Sequence, residues 1–409
     1  MAASTPPSLL SLPLLVVEGI AEALCPHCTE ETELYPWKTP LHWFENQHRM
    51  LINTQSLANL AVTCRAMHAV ITPFLYHQPQ GYSPKRPGLF RTLAKYPELA
   101  RRVKVLRLDY DAGIVELPND KDDREFLLSL AAQYGWSTDV QDGVSPDDTR
   151  ELLTTLLIAM CPNLETLSTG RDYFEQFRLL QPATLPRLKD VYVAHLDTDM
   201  GMDLGELMPL YLAAPNIETF SAAMASGVGK GDSALGNVTN LRLDSAGIST
   251  ACLRTLLRSC PRLESFVYTA GGMTVNDRQF DGRSARRLLC RWAPGLKHLA
   301  MDLRDRDCMG DWDDVGDSSN KDNDSELLPG VASLLYLETL IIDATVVGEW
   351  DSRPVVALFP QSLRSLVVYR AYPTGIAEVS EAEWKEFREL AGSFLRNLKS
   401  IKIEGSIIN

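Results

Sequence analysis

Two stretches of the chain share one pattern: "CPNLETLST" at residues 161–169 and "CPRLESFVY" at residues 260–268. A Cys-Pro pair is followed by a leucine, and apolar residues then stand at the fourth and sixth positions of L-x-x-L-x-φ. Five close copies are "LPRLKDVYV" (185–193), "APNIETFSA" (214–222), "APGLKHLAM" (293–301), "FPQSLRSLVV" (359–368) and "LRNLKSIKI" (395–403). Looser copies are "RVKVLRL" (102–108), "NVTNLRL" (237–243) and "LYLETLII" (335–342).

The pattern predicts a short strand whose apolar side chains point to one side. A proline before the strand ends the preceding helix without removing a bond from the middle of a ladder. Segments with apolar residues at helical spacing, such as "TACLRTLLRS" (250–259), come before several copies. One such unit cannot bury its apolar face alone, but stacked units can.

Successive copies lie 21 to 41 residues apart from residue 164 onward, and the shorter spacings fit a leucine-rich repeat of about 20–29 residues. We therefore predict an α/β fold: a curved leucine-rich-repeat-like solenoid over 99–409, with parallel strands inside and helices outside. Acidic loops at about 116–148 and 305–326 interrupt it, and the first surrounds a short helix near 124–134.

Composition limits the class of protein. The net charge is −13, which argues against nucleic acid or an anionic membrane as the general partner. Eight cysteines in 409 residues are too few for a disulfide scaffold, which indicates reduced thiols inside the cell. We therefore expect a protein of the cytoplasm or nucleus. Cys161 and Cys260 are expected to be buried packing residues.

Residues 1–77 read as a separate helical module. One amphipathic helix is predicted at 12–24, "LPLLVVEGIAEAL", and a second at 56–77, "SLANLAVTCRAMHAVITPFLYH", with Ser56 as its N-cap. A segment at about 25–53 is inserted between them, and 78–98 is a linker to the repeats.

This module resembles the F-box, and the whole chain resembles fungal F-box proteins with irregular leucine-rich repeats. The leucine-proline pair that opens the first helix matches the start of the family pattern. Further matches lie in the second helix at Leu57, Leu60, Val62, Cys64, Arg65, Pro73, Leu75 and Tyr76. Two departures are Leu15, where the family often has an acidic residue, and Gly19, which weakens the helix by roughly 1 kcal/mol relative to Ala.

The resemblance implies a receptor subunit of a Skp–cullin–F-box ubiquitin ligase. Such a subunit docks on the Skp adaptor, reaches the cullin through it, and holds a protein substrate on its repeats. The adaptor-binding residues would be Leu12, Pro13, Val16, Ile20, Leu57, Leu60 and Leu75. The alternative is a repeat-based interaction scaffold with a degenerate F-box and no ligase role.

Within each predicted strand, the positions between the apolar ones face away from the core. In a solenoid this face usually binds the partner. The candidate substrate-binding residues are Arg107, Asp190, Tyr192, Arg242, Val267 and His298.

The sequence does not indicate an enzyme. "GVGKGDS" (227–233) is not a P-loop, because Met224 stands where that motif needs glycine. No G-x-S-x-G or H-E-x-x-H motif occurs. We therefore expect a non-catalytic subunit with no cofactor, apart from one open metal question.

"ALCPHCTEET" (23–32) poses that question. Cys25 and Cys28, followed by His42 and His48, fall within the spacing of a two-Cys two-His zinc site. The alternative is that the cysteines are two buried thiols at the end of the first helix.

Overall fold

The computed structural model describes residues 12–29, 52–79, 88–108, 121–136, 146–171, 177, 179–195, 201–229, 235–271, 282–302, 331–343, 356–369 and 381–404. The chain divides into two compact units. The first comprises Met1–Thr169 with Gln176–Asp190, and the second comprises Gly170–Glu175 with Val191–Asn409. The boundaries 1–77, 78–98 and 99–409 stay predictions.

The helices of the first unit are α1 (Leu14–Leu24), α2 (Pro26–Thr29), α3 (52–61), α4 (Arg65–Leu75), α5 (Gly88–Lys95), α6 (Pro97–Ala100), α7 (Lys121–Gln133) and α8 (Pro146–Met160). Those of the second unit are α9 (Met208–Ala213), α10 (Thr250–Ser259), α11 (Gly282–Trp292) and α12 (Glu381–Phe394). Helix α5 lies within the predicted linker, and α7 is the short helix predicted near 124–134. No helix of the described residues is long and apolar enough to cross a membrane.

The strands are β1 (Val105–Leu108), β2 (Thr166–Arg171), β3 (Asp190–His195), β4 (Met202–Asp203), β5 (Thr219–Ala223), β6 (Ala225–Gly227), β7 (Asn240–Ala246), β8 (Ser265–Ala270), β9 (His298–Asp302), β10 (Thr339–Asp343), β11 (Ser365–Tyr369) and β12 (Ser400–Glu404). Ten of them form one sheet in the order β1-β2-β3-β5-β7-β8-β9-β10-β11-β12, and β4 pairs with β6. The strands follow their order in the chain. The prediction of a repeat fold with parallel strands and intervening helices is confirmed.

A tight turn precedes most strands of the large sheet, at a cysteine, alanine, leucine or proline of the repeat pattern. The backbone N–H of Leu164 donates to the Cys161 carbonyl at 3.1 Å, and Leu263 donates to Cys260 at 3.2 Å. Cys161 and Cys260 are fully buried, as expected. The turn directs the following leucine inward, so the start of each strand is fixed by local sequence.

The residue after that leucine links one repeat to the next. The Thr239 carbonyl accepts the N–H groups of both Glu264 and Ser265, at 2.8 and 2.9 Å. We call a residue in this position a rung residue. Rung carbonyls that accept two consecutive N–H groups in this way are those of His77, Lys104, Glu165, Glu218, Thr239, Glu264, Lys297, Glu338 and Arg364.

His77 is the unexpected member of this series. It follows α4, in the helical module, yet its carbonyl accepts from Lys104 and Val105 at 2.9 Å each. The end of the module therefore occupies the place of a repeat before the first strand, which gives the start of the sheet a bonded neighbour.

The second helix of the sequence prediction is two helices. Helix α3 ends at 61, and α4 begins after Cys64, whose sulfur accepts from the Met67 N–H at 3.4 Å. Ser56 lies inside α3 and donates to the Ile52 carbonyl, so its assignment as the N-cap was wrong. The β-branched Val62 and Thr63 at the break are poor helix formers.

The aligned register stacks core side chains across strands. Phe266 of β8 pairs with Leu241 of β7 and Leu299 of β9, and all three are buried. The next residue, Val267, is partly exposed on the other face.

We predict that Phe266→Ala lowers the free energy of unfolding by about 3–5 kcal/mol, because it removes a ring from this row and leaves a cavity. The matched control Val267→Ala should cost less than about 1.5 kcal/mol, since its side chain is only partly buried. Urea unfolding followed by circular dichroism measures both. Equal losses for the two variants would contradict the assigned register.

Candidate functional site

The N-terminal helices have a core of their own. It contains Val17, Ala21, Cys25, Leu57, Ala61, Met67 and Ile71, all buried. Partly buried apolar residues pack against it: Leu12, Leu24, Leu60, Cys64, Val70, Phe74 and Leu75. Contacts between α1 and α4 join the two ends of the module.

The predicted adaptor-binding residues divide into two groups. Leu57 is 0% exposed, so its side chain serves the core of the module, and Leu12, Leu60 and Leu75 pack beside it. Pro13 is exposed and acts as the N-cap of α1, Val16 is exposed, and Ile20 is partly exposed. Whether any of them contacts an adaptor stays a prediction.

Sequence reasoning missed two of the most exposed apolar residues of α1. Leu14, Leu15 and Val16 are 57%, 80% and 44% exposed, respectively. Ile52, at the start of the described part of α3, and Val62, directly after its end, are exposed as well. The sequence did contain a signal for them, the unbroken apolar run "LPLLVV". Consecutive residues of a helix point to different sides, so some of these side chains must face away from the core.

The candidate substrate-binding residues lie on the strands as predicted, with unequal exposure. Tyr192 and Arg242 are buried, whereas Arg107, Asp190 and Val267 are partly exposed and His298 is exposed. Arg242 forms an ion pair at 2.5 Å with Asp244. Its charge is therefore largely neutralised within the strand.

In the second unit, two rows of side chains run across the strands on the face opposite the core. One row is polar, and it contains Thr219, Asn240, Ser265, His298, Thr339, Ser365 and Ser400. The other contains Ser221, Arg242, Val267, Ala300, Ile341, Val367 and Lys402. The four apolar members of the second row are all partly exposed.

A cluster of sulfur and nitrogen donors lies at the end of α1 in the first unit. It contains Cys25, His27, Cys28 and His77, with one ligand atom of each residue within 4.8 Å of the others. Cys25 and His77 are buried, His27 is partly exposed and Cys28 is exposed. Directly after Cys25, residues Pro26–Thr29 form the short helix α2, which brings the Cys28 sulfur close to His77.

Three short contacts define the geometry of this cluster. The Nδ1 atom of His77 lies 3.6 Å from the sulfur of Cys25 and 3.6 Å from that of Cys28. The Nδ1 atom of His27 lies 3.5 Å from the Cys28 sulfur, and its Nε2 atom lies 3.6 Å from a carboxylate oxygen of Glu165. The two imidazole rings meet edge to face, with centroids 5.2 Å apart.

The surroundings favour neutral imidazoles and a protonated Cys28 thiol. Burial, with the neighbouring charge of His27 as the next cause, lowers the pKa of His77 to about 4. Burial and then Lys104 lower the pKa of His27, against an opposing effect of Glu165. Although the surface of Cys28 is exposed, desolvation of its sulfur and the adjacent Cys25 raise its pKa to about 12.

His42 and His48, the predicted partners of the two cysteines, lie outside the described residues. The partners that the structure shows are His27, inside the C-x-x-C motif, and His77. Spacing rules missed His77 because it lies 49 residues after Cys28, beyond the range of a local motif. The alternative of two buried thiols does not describe Cys28, whose side chain is exposed.

No family model matches the sequence, and the search of curated proteins found no match. Among solved structures, a leucine-rich-repeat protein of Leptospira interrogans is 13% identical, with 75% of this chain and 74% of that one covered and a TM-score of 0.30. The Rad7–Elc1 complex of yeast is 12% identical, with 99% and 95% covered and a TM-score of 0.35. Such scores do not establish a shared fold. The class, a leucine-rich-repeat-like solenoid, rests on the strand order and the rung bonds of this chain.

We predict that Ile341→Arg leaves the fold intact, because the side chain belongs to the outward-facing row and the guanidinium can reach water. The free energy of unfolding should change by less than about 1.5 kcal/mol. The matched variant Leu340→Arg places a charge in the core row and should prevent folding. Circular dichroism and thermal unfolding compare the two variants. Loss of fold in Ile341→Arg would show that another part of the chain packs on this row.

Proposed function

We propose that the chain is the substrate-receptor subunit of a Skp–cullin–F-box ubiquitin ligase. In this proposal the helical module binds the Skp adaptor and the repeat sheet binds a protein substrate. The chain itself performs no catalysis and works in the cytoplasm or nucleus. The observation that carries the proposal is the exposed apolar start of α1, together with the F-box resemblance of the same residues.

Helix α1 has apolar residues on two sides. Val17 and Ala21 face the core of the module, while Leu14, Leu15 and Val16 face outward. Exposed apolar side chains that stand together are uncommon on a chain that works alone, and they typically mark a surface for another protein. A helix that packs inward with one side and presents leucines on the other suits docking on a helical adaptor.

The repeat sheet supports the substrate-binding half of the proposal. Its polar row offers hydroxyl, amide and imidazole groups, and the apolar row beside it offers Val267, Ile341 and Val367. A broad face with adjacent polar and apolar rows suits a protein surface or an extended peptide. Tyr192 and Arg242 are buried, so the exposed and partly exposed side chains of this face would make most of the contact.

We predict that Leu14→Asp with Val16→Asp reduces capture of a Skp adaptor at least tenfold, because two carboxylates would be placed in an apolar interface. Purified full-length protein, immobilised and titrated with purified adaptor, provides the measurement. Both side chains are exposed, so the double variant should keep the melting temperature of the wild-type chain.

The matched control is Leu335→Asp, an exposed leucine in the second unit that is 71% exposed. It carries the same chemical change and should bind adaptor like the wild-type chain. If wild-type protein fails to bind adaptor at micromolar concentration, the ligase proposal fails and the scaffold alternative takes its place. Equal binding by wild type and the double variant would remove the start of α1 from the interface.

A further inference from the structure

We propose that Cys25, His27, Cys28 and His77 bind one zinc ion, which joins α2 to the residue that starts the repeat ladder. This proposal concerns a structural metal site within the first unit, and it is independent of the ligase role. The ligand set differs from the one that spacing predicted, since His27 and His77 take the places of His42 and His48.

The distances among the donors match those around a bound zinc ion. Zinc lies about 2.3 Å from a thiolate sulfur and about 2.0–2.1 Å from an imidazole nitrogen, so a tetrahedral site separates sulfur and nitrogen by about 3.6 Å. The three sulfur–nitrogen contacts here are 3.6, 3.6 and 3.5 Å. Two of them join His77 to the two cysteines, and one ligand atom of each of the four residues lies within 4.8 Å of the others.

The chemistry of the donors selects the metal. Two thiolates and two imidazoles form the S₂N₂ set that is typical of tetrahedral zinc, whereas calcium and magnesium prefer oxygen ligands. A redox C-x-x-C motif usually places its reactive sulfur at the N-terminus of a helix. Here α2 has four residues, and each cysteine contacts the same imidazole.

Groups around the donors are placed to orient them. The Nε2 atom of His27 faces Glu165, which leaves Nδ1 directed at Cys28. Zinc-binding histidines usually have a carboxylate or carbonyl on the second ring nitrogen in this way. Glu165 is held in turn by Lys104, 3.1 Å from its other oxygen.

The position of His77 gives the site a structural role. Its side chain belongs to the cluster, while its carbonyl accepts the N–H groups of Lys104 and Val105 at the start of β1. A zinc ion there would close the loop between residues 25 and 77 and fix the first rung residue. Closing a long loop restricts the unfolded chain, so binding would stabilise the module and the first strand together.

The first test is the zinc content of the purified full-length chain, measured by mass spectrometry after passage through metal-free buffer. We expect about one zinc ion per chain, as for a closed structural site. Cys28→Ser should lose it. Because Cys28 is exposed, this variant removes no core packing, and it should keep the circular dichroism spectrum of a folded protein.

Two matched controls separate ligation from general damage. Cys252→Ser changes a partly buried thiol on α10, and His68→Gln changes an exposed histidine on α4. Both controls should keep the zinc. Cobalt(II) added to metal-free wild-type protein should give tetrahedral visible bands and thiolate charge-transfer absorption, and both should be absent from Cys28→Ser.

A second experiment tests the surroundings of the site. Glu165→Gln should weaken zinc binding about 10- to 100-fold in competition with a chromogenic chelator, since it removes the carboxylate from His27. Glu264→Gln is the matched control, because Glu264 is also a rung residue and pairs with Lys297 at 2.8 Å. It should bind zinc like the wild-type chain.

Three results would overturn the proposal. One is a wild-type chain with less than about a tenth of an equivalent of zinc that also gives no thiolate absorption with cobalt. The second is full zinc content in Cys28→Ser. The third is a disulfide between Cys25 and Cys28 in protein purified under reducing conditions, because a disulfide leaves neither sulfur able to bind the metal.

Discussion

The hydrogen bond on which the fold depends is the shared one at each rung residue. A single carbonyl accepts two consecutive N–H groups from the next repeat, with distances from 2.7 to 3.2 Å. Two bonds to one oxygen fix both the spacing and the direction of the following strand. A slip by one residue would turn every apolar side chain away from the core. Because the same contact recurs along the chain, loops of different length between repeats leave the register unchanged.

Rung residues of opposite charge also form ion pairs across neighbouring repeats. Lys104 pairs with Glu165, Lys297 with Glu264 and Arg364 with Glu338, at 3.1, 2.8 and 3.2 Å. Each pair joins neighbouring repeats through side chains directly beside the shared carbonyl. Exposed pairs of this kind contribute about 0–1 kcal/mol each. At these three positions the backbone pairing therefore brings opposite charges together, with a small favourable contribution.

The sequence predicted the repeats because their information is local. Each strand has its turn residue, its leucine and its alternating apolar positions within about nine residues, as in "CPRLESFVY". The break at Cys64 was harder to predict, since apolar residues continue at helical spacing on both sides of it. Leu57 shows a related limit: an apolar position on an amphipathic helix does not reveal whether it faces its own core or a partner.

The sequence predicted only the local part of the donor cluster, its two cysteines. "CPHC" marks two cysteines and a histidine on its own, but the fourth donor depends on how α4 returns to the end of α1. That return is fixed by packing of the module core, in which Cys25 lies with Met67 and Ile71. His77 then follows from the length of α4, which ends two residues earlier at Leu75.

His77 also changes how the helical module relates to the first strand. The sequence between residues 78 and 98 predicts a linker, and a flexible linker would let the module move freely. However, the backbone of His77 is bonded to Lys104 and Val105, and its ring contacts both cysteines of α2. The module therefore serves as the N-terminal cap of the repeats, the role that atypical end units have in solenoids. One residue, His77, thus belongs both to the core of the donor cluster and to the backbone ladder that begins at the first strand.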